Sequence, residues 1–186
     1  MVYLMRHGQD DESYIGGWSD VALIDSGIDE VKRTSEWINE NLLIKQILCS
    51  DILRARQTAE IVNSYLKVPI CYSSELREQN KGLLNGAVVK EVETSKYSHL
   101  LHDVKIDTVY PNGESLYQLY CRINEYLDKI INLDDSTLII THRGVINMIY
   151  YILEGKSLDM NKKQFGVETA SLHELDTQKM MIKRIR

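Results

Sequence analysis

The feature of this sequence that most constrains its fold is the alternation of short apolar runs with segments of helical pattern. Three runs have the length and composition of buried strands: VYLM (2–5), QILCS (46–50) and STLIITH (136–142). Three segments repeat apolar residues at helical spacing: 25–42, 51–66 and 112–131. Such alternation predicts an α/β fold whose central sheet is mostly parallel.

The remaining segments fit the same scheme. A further strand is predicted at 68–73, where Pro69 indicates a sheet edge or a strand start. A looser helix is predicted at 87–102, another helix at 144–154, and a closing hairpin from ASLHEL and KMMIKRI. The chain, 1–186, is therefore expected to form one domain, built as a three-layer α/β/α sandwich.

Composition argues against several classes of function. The net charge is −5 and there is no Lys/Arg block, so nucleic acid is not an expected partner. No stretch reaches the roughly 18 apolar residues of a membrane span, and the N-terminal apolar run is too short for a signal peptide. The cysteines, Cys49, Cys71 and Cys121, lack a paired spacing and indicate a reducing compartment rather than disulfides or a zinc site. We therefore expect a cytoplasmic protein.

Polar residues gather where the predicted strands end. The first strand runs into Arg6 and His7, and STLIITH ends on His142, with Arg143 directly behind it. The run QILCS leads into a helix whose first turn carries Arg54. Because ligands of parallel sheets bind beyond the carboxyl ends of the strands, we expect these residues to meet at one rim and form an anion site.

Six segments resemble the sequence blocks of the histidine phosphatase superfamily, which also contains the phosphoglycerate mutases. In chain order they are LMRHG (4–8), GGWSDVALIDSG (16–27), CSDILRARQTAEI (49–61), LREQNKGLLNG (76–86), PNGESL (111–116) and ITHRGVI (140–146). One block alone is a weak signal, whereas six in order are specific. The resemblance implies a phosphoglycerate mutase-like fold and an enzyme of the histidine acid-type phosphatase class that needs no cofactor.

The resemblance also implies roles for single residues. His7 is the expected phosphorylated nucleophile, and Glu78 is the expected proton donor. The phosphate pocket is expected from Arg6, Arg54 and His142. The full predicted set for phosphate or substrate binding is Arg6, Gly8, Gln9, Arg54, His142 and Arg143.

Elementary chemistry supports these roles. A phosphate dianion does not repel a neutral imidazole, which can form a phosphoramidate and so divide hydrolysis into two steps. His7 must keep one ring nitrogen unprotonated, and a backbone carbonyl in the Gly8 turn is expected to hold the other. Guanidinium groups can stabilise charge on the nonbridging oxygens, so no metal is expected. His142 is expected to act as an imidazolium donor.

Two carboxylate questions stay open at the level of sequence. Glu75 is the alternative to Glu78 as proton donor, and one of the two could instead pair with Arg77 or Lys81. The acidic loop 10–12 either places negative charge near the phosphate or is simply solvated.

The sequence also leaves the role of Arg143 open and assigns no role to several histidines. Arg143 stands where relatives commonly have glycine, and it either contacts a second anionic group or points away. No chemical role is expected for His99, His102 or His173. The sequence specifies neither the physiological substrate nor the oligomeric state.

The spacing of the blocks bears on the reaction. Only 63 residues separate Glu78 from His142, which leaves room for a small lid at 87–110 but not for the larger insertion of bisphosphoglycerate-dependent mutases. The leading prediction is a metal-independent phosphatase that hydrolyses a small phosphorylated metabolite through a phosphohistidine. The alternatives are a phosphoglycerate-type mutase and a catalytically silent module that binds a phosphorylated ligand.

Overall fold

One six-stranded sheet organises the molecule in the computed structural model, which describes residues 1–133, 136–161 and 163–186. The strands are β1 (Val2–Arg6), β2 (Gln46–Ser50), β3 (Ile70–Ser73), β4 (Thr137–Thr141), β5 (Leu172–Asp176) and β6 (Met181–Arg184). Their order across the sheet is β3-β2-β4-β1-β5-β6. The first four strands in this order pair in parallel, and β5 and β6 add antiparallel. The predicted mostly parallel sheet is confirmed.

Among the described residues, six α-helices connect or flank these strands. They are α1 (Asp25–Asn41), α2 (Leu53–Leu66), α3 (Val89–Glu93), α4 (His99–His102), α5 (Leu116–Ile131) and α6 (Arg143–Glu154). Within the described residues, no helix is long and apolar enough to span a membrane.

The two faces of the sheet carry separate apolar clusters, because successive side chains of a strand point to opposite faces. Leu4 belongs to a cluster with Leu119 of α5 and Ile146 of α6. Its neighbour Met5 belongs to a cluster formed with residues of α1 and α2, including Val31. Helices α5 and α6 thus cover one face and α1 and α2 the other, which confirms the predicted three-layer sandwich.

Helix α5 begins later than the sequence pattern predicted. The Ser115 hydroxyl accepts a hydrogen bond from the Gln118 N–H at 3.1 Å, and the Gln118 side-chain oxygen accepts one from the Ser115 N–H at 2.8 Å. This reciprocal capping box satisfies two donors that the first helical turn leaves free. The helix therefore begins at Leu116, and the three predicted residues before the cap, 112–114, are outside it.

The single helix predicted at 87–102 is wrong. Two short helices, α3 and α4, stand in its place. The Ser95 hydroxyl donates to the Val92 carbonyl and accepts from the Tyr97 N–H, so it competes with the helical hydrogen bonds of this segment. A small apolar cluster around Leu100 and Tyr110 packs the segment instead. The division of the chain into one domain with a lid at 87–110 stays a prediction.

Candidate active site

The pairing of β1 with β4 brings the two predicted site histidines together. Arg6 and Thr141 are partners in the parallel register, and the His7 N–H donates to the Thr141 carbonyl at 3.0 Å. His7 and His142, one residue beyond each strand, therefore lie side by side with ring centroids 5.1 Å apart. Both side chains are buried. The expected meeting of strand ends at one rim is confirmed.

His7 is held as a neutral imidazole with a defined tautomer. Its Nδ1 lies 2.7 Å from the Gly8 carbonyl oxygen, which can only accept, so Nδ1 carries the proton and Nε2 the lone pair. This is the backbone hydrogen bond that the sequence predicted. Burial lowers the pKa of His7 well below its usual value, and the positive charges of Arg54 and Arg6 lower it further.

Gly8 lets the histidine turn pack tightly against helix α1. A Cβ atom on Gly8 would lie 2.6 Å from both the Gly27 carbonyl oxygen and a methyl group of Val31. Any larger residue would push the turn away from the helix and move the carbonyl that fixes His7.

Arg54 connects His7 to the loop after β1. Its Nε donates to His7 Nε2 at 3.2 Å, and its Nη2 donates to the Gly17 carbonyl at 2.8 Å. Its Nη1 donates to the Ser19 hydroxyl at 3.2 Å. Burial lowers the pKa of Arg54, while the carboxylates of Asp10 and Glu78 raise it.

Arg6 and His142 carry buried nitrogens that lack a protein partner. Arg6 Nη1 donates to the Val167 carbonyl at 3.1 Å, whereas Arg6 Nε has no hydrogen-bond partner among the described residues. His142 Nε2 pairs with the Ser50 hydroxyl at 2.8 Å, and His142 Nδ1 likewise has no partner in the described part of the chain. Because buried polar atoms are normally hydrogen-bonded, these nitrogens indicate a place for an acceptor.

The expectation of an imidazolium at His142 is wrong for the protein alone. Burial lowers the pKa of His142 well below its usual value, and the charge of Arg54 and the adjacent His7 act in the same direction. The ring is therefore neutral. Burial also lowers the pKa of Arg6, to about 10, so this guanidinium remains charged at neutral pH.

Glu78, and not Glu75, lines a cavity together with His7. The Glu78 carboxylate accepts hydrogen bonds from the Gln79 N–H at 2.8 Å and from the Gly144 N–H at 3.0 Å. The Trp18 indole N–H donates to the Glu78 backbone carbonyl at 2.7 Å. Glu75 is exposed.

Arg77 does not pair with either of these glutamates. It forms a two-pronged ion pair with Asp51, both contacts 2.6 Å long, and stacks 4.7 Å from the Trp18 ring centroid. Lys81 donates to the side-chain oxygen of Gln79. The predicted alternative, in which Arg77 forms an ion pair with one of the glutamates, is therefore wrong.

Two adjoining cavities open at this rim. The first, called here the histidine pocket, has a volume of about 200 Å³. It is lined by Arg6, His7, Asp10, Asp11, Glu12, Tyr14, Gly16, Gly17, Arg54, Glu78 and Arg143. The second, called the adjoining cavity, has a volume of about 450 Å³ and shares Gly16, Gly17, Glu78 and Arg143 with the first. Its walls include apolar side chains of α5 and α6, such as Leu119 and Met148.

The linings of the two cavities show which of the remaining predicted binding residues lie in the site. Arg143 lies at the junction of both cavities, so it does not point away from the site. Gln9 lines neither cavity, and its side-chain oxygen accepts from the Ser26 hydroxyl at 3.2 Å. The structure thus does not bring the Gln9 side chain into the site. His102 reaches the wall of the adjoining cavity, while His99 is exposed outside both.

Several contacts at the site were missed by sequence reasoning. These are the Ser50 partner of His142, the Gly144 N–H on Glu78, and Asp10 beside Arg54. Only the position of Ser50, at the end of β2 and next to Asp51, could have suggested that it meets the other strand ends. Among the described residues, no group of three or more His, Cys, Asp or Glu is arranged to hold a metal ion.

Comparison with known proteins agrees with this geometry. The family model of the histidine phosphatase superfamily (branch 1) matches residues 2–183. The chain is 27% identical over 187 residues to the uncharacterized phosphatase PhoE of Bacillus subtilis, covering 98% of this chain and 92% of that protein. It is 30% identical over 161 residues to phosphoglycerate mutase-like protein 4 of Arabidopsis thaliana, covering 80% of this chain and 69% of that protein.

A solved structure gives the same result for the fold. The alpha-ribazole phosphatase of Shigella flexneri superposes with a TM-score of 0.79 at 21% identity, over 98% of this chain and 93% of that one. The match over nearly the whole length, together with the paired histidines at the sheet rim, identifies the family. The chain belongs to the histidine phosphatase superfamily (branch 1).

Proposed function

We propose that this protein is a metal-independent phosphatase that hydrolyses a phosphomonoester through a phosphohistidine at His7. The observation that carries the proposal is the neutral His7 with its unprotonated Nε2 beside Arg54, in a pocket that also contains Glu78. A neutral nucleophile next to guanidinium groups can approach a phosphate dianion without electrostatic repulsion.

In the first step, the lone pair of His7 Nε2 attacks phosphorus and the bond to the leaving oxygen breaks. Arg6 and His142 would donate to the nonbridging oxygens through the unpartnered nitrogens described above, and Arg54 would add the positive charge of its guanidinium. Glu78 would give its proton to the leaving alkoxide. Each Glu78 oxygen accepts one backbone N–H bond, which leaves a lone pair available for that proton.

In the second step, water attacks the phosphohistidine. The Glu78 carboxylate would take a proton from this water, the phosphorus–nitrogen bond would break, and its electron pair would return to Nε2. Orthophosphate leaves, and His7 is again neutral. Because three guanidinium groups line the histidine pocket, the charge stabilisation often supplied by a metal is available from the chain itself.

The adjoining cavity supports hydrolysis of a larger ester over mutase chemistry. At about 450 Å³ it falls within the range of ligand pockets and exceeds what a three-carbon sugar acid would fill. A mutase must also retain a bisphosphate away from water, and a second, larger cavity next to the histidine pocket does not favour this. We therefore propose that the leaving group occupies the adjoining cavity, with Arg143 at the boundary between phosphate and leaving group.

Three further observations bear on the proposal. The segment 87–110 borders the adjoining cavity through Leu101, Val104 and Tyr110, so it is placed to act as a lid. All three cysteines are free, which fits a reducing compartment such as the cytoplasm. A relative that aligns with nearly the whole chain, PhoE, is itself named a phosphatase, which supports hydrolysis.

The test is turnover of p-nitrophenyl phosphate, with excess chelator present, by the wild type, His7→Ala and His99→Ala. We expect the wild type to remain active in chelator and His7→Ala to lose about 10³-fold or more of kcat. His99→Ala, which removes an exposed histidine outside both cavities, should match the wild type. Full activity of His7→Ala would overturn the proposed nucleophile. An inactive wild type would direct the next assay to mutase activity with a bisphosphoglycerate primer.

A further inference from the structure

Arg54 has a carboxylate neighbour inside the histidine pocket. Asp10 Oδ2 lies 3.5 Å from Arg54 Nε, and the two side chains are 16% and 2% exposed. An ion pair shielded from water is stronger than the same pair on an open surface. Asp10 therefore places a fixed anion at the guanidinium that the phosphoryl group also needs.

The loop that carries Asp10 is anchored to the start of α1. Asp10 forms an antiparallel bridge with Leu23, and the Ile24 N–H donates to the Gln9 carbonyl at 3.0 Å. Gly27 packs so closely against Gln9 that a Cβ on Gly27 would lie 2.6 Å from the Gln9 backbone nitrogen. These contacts fix the backbone of the loop from which the Asp10 carboxylate reaches Arg54.

The histidine pocket contains carboxylates as well as guanidinium groups, so it favours an anion less than its arginines alone would. Three guanidinium groups, those of Arg6, Arg54 and Arg143, share the lining with the carboxylates of Asp10, Asp11, Glu12 and Glu78. Within the acidic loop, Asp10 stands apart because its charge raises the pKa of both Arg6 and Arg54. Glu12 forms no ion pair with any described residue.

We propose that Asp10 is a specificity-determining residue that competes with phosphate for Arg54 and so lowers the affinity of the histidine pocket for orthophosphate. The inference rests on the proposed function, in which orthophosphate is the second product. A tethered anion acts at a high effective concentration, and a phosphate dianion must displace it or share the guanidinium with it. Weaker retention of orthophosphate limits product inhibition, and the same carboxylate disfavours esters that carry a second phosphate near this loop.

The test compares the binding of inorganic phosphate to the wild type, Asp10→Asn and Glu12→Gln by titration calorimetry. Removing the competing charge at Arg54 should tighten phosphate binding of Asp10→Asn by about tenfold or more. Glu12→Gln removes an equal charge from the same loop and the same pocket lining, and it should change the affinity by less than about threefold. Unchanged or weaker binding by Asp10→Asn overturns the inference. Equal tightening in Glu12→Gln also overturns it, because the effect would then be one of general charge.

Two features of the design keep the result decisive. If thermal unfolding shows that Asp10→Asn is not folded, Asp10→Ser provides the same comparison with a smaller neutral side chain. Binding of phosphate requires no turnover, so the two proposals fail separately. If Asp10→Asn binds phosphate more tightly but the protein hydrolyses no ester, the competition at Arg54 stands and the proposed phosphatase activity is refuted. If the protein hydrolyses esters but Asp10→Asn gains no affinity for phosphate, the phosphatase activity stands and the competition is refuted.

Discussion

His7 is kept neutral by two physical effects that act in the same direction. Burial penalises the charged imidazolium, and the guanidinium groups of Arg54 and Arg6 repel it. The Gly8 carbonyl opposes them only in part, while fixing which nitrogen carries the proton. The lone pair on Nε2 therefore stays available as pH falls well below the usual histidine pKa.

At the same scale, the choice between two glutamates can be tested directly. Glu78→Gln keeps the shape and one acceptor oxygen but cannot donate or accept the catalytic proton, so kcat should fall about 10²- to 10⁴-fold with KM changed by less than about threefold. The loss should be larger for an alkyl phosphate than for p-nitrophenyl phosphate, because the poorer leaving group depends more on protonation. Steady-state kinetics with both esters measures this difference.

Glu75→Gln is the matched control. Glu75 is exposed and lines neither cavity, so its variant should retain wild-type kinetics with both esters. If the two glutamine variants behaved alike, Glu78 would not be the proton donor.

Residue identities at the rim could be predicted from sequence, but side-chain directions could not. His7, Arg54 and His142 follow from motifs attached to strand ends, whose positions the sheet dictates. Gln9 and Asp10 sit on a loop, where backbone contacts decide direction: the Gln9 side chain turns to Ser26, and Asp10 turns inward to Arg54. The neutral state of His142 depends on complete burial, which no local pattern reveals.

At the scale of elements, the start of α6 positions the proposed proton donor. The Gly144 N–H donates to Glu78, and a Cβ added to Gly144 would run into the Glu78 carboxylate. Helix α6 and the segment carrying Glu78 can approach this closely only because residue 144 has no side chain.

Gly144→Ala should therefore displace Glu78 and lower kcat about tenfold or more. The free energy of unfolding should fall by less than about 1 kcal/mol, because alanine favours the helix and offsets part of the clash. Paired kinetics and urea unfolding separate the two effects. Wild-type turnover in Gly144→Ala would show that contact with α6 does not position Glu78.

The elements themselves were predictable where periodicity and local chemistry agreed. Strand β2 has the predicted bounds, and each end of β1 and β4 lies within one residue of its prediction. The segment 87–102 was predicted wrongly because its apolar spacing suggests a helix while the Ser95 hydroxyl offers the backbone a competing set of hydrogen bonds. Spacing alone does not weigh that competition.

At the scale of the whole molecule, three buried histidines link stability to pH. Burial lowers the pKa of His173 to about 4, while its ring nitrogens contact the hydroxyls of Tyr150 and Ser171. Its expected lack of a chemical role stays a prediction, and the structure places it in the core. His7 and His142 have pKa values lowered in the same direction.

The sign of the pH effect follows from these shifts. The unfolded chain takes up protons on histidine near pH 6.5, whereas the folded chain does not. The contribution of these histidines to the free energy of unfolding is therefore at its maximum above about pH 6.5 and decreases as the pH falls. For His173 the loss continues down to its folded pKa of about 4. Between pH 7.5 and 5, the loss in free energy of unfolding from this residue should amount to about 2 kcal/mol.

Urea unfolding of the wild type, His173→Gln and His99→Gln at both pH values measures this share. His173→Gln should show the smaller loss of stability between the two pH values, whatever its stability at pH 7.5. His99→Gln should lose as much as the wild type, because His99 is exposed. An equal loss in His173→Gln would contradict the linkage.

The class of fold follows from the alternation of strands and helices, but the order of strands does not. Periodicity contains no information about which strands become neighbours, so the central place of β1 was not predictable from the sequence. That placement depends on tertiary packing of the two apolar clusters, one on each face.

The position of β1 also sets when the site can exist. Both of its neighbours, β4 and β5, belong to residues 137–176, whereas β1 leaves the ribosome before β2 to β6. A nascent chain can pair β2 with β3 but holds His7 on a strand with two open edges until the last third of the sequence has been translated. The unfinished chain is therefore exposed to mispairing, and His7 and His142 can come together only after β4 has been synthesised.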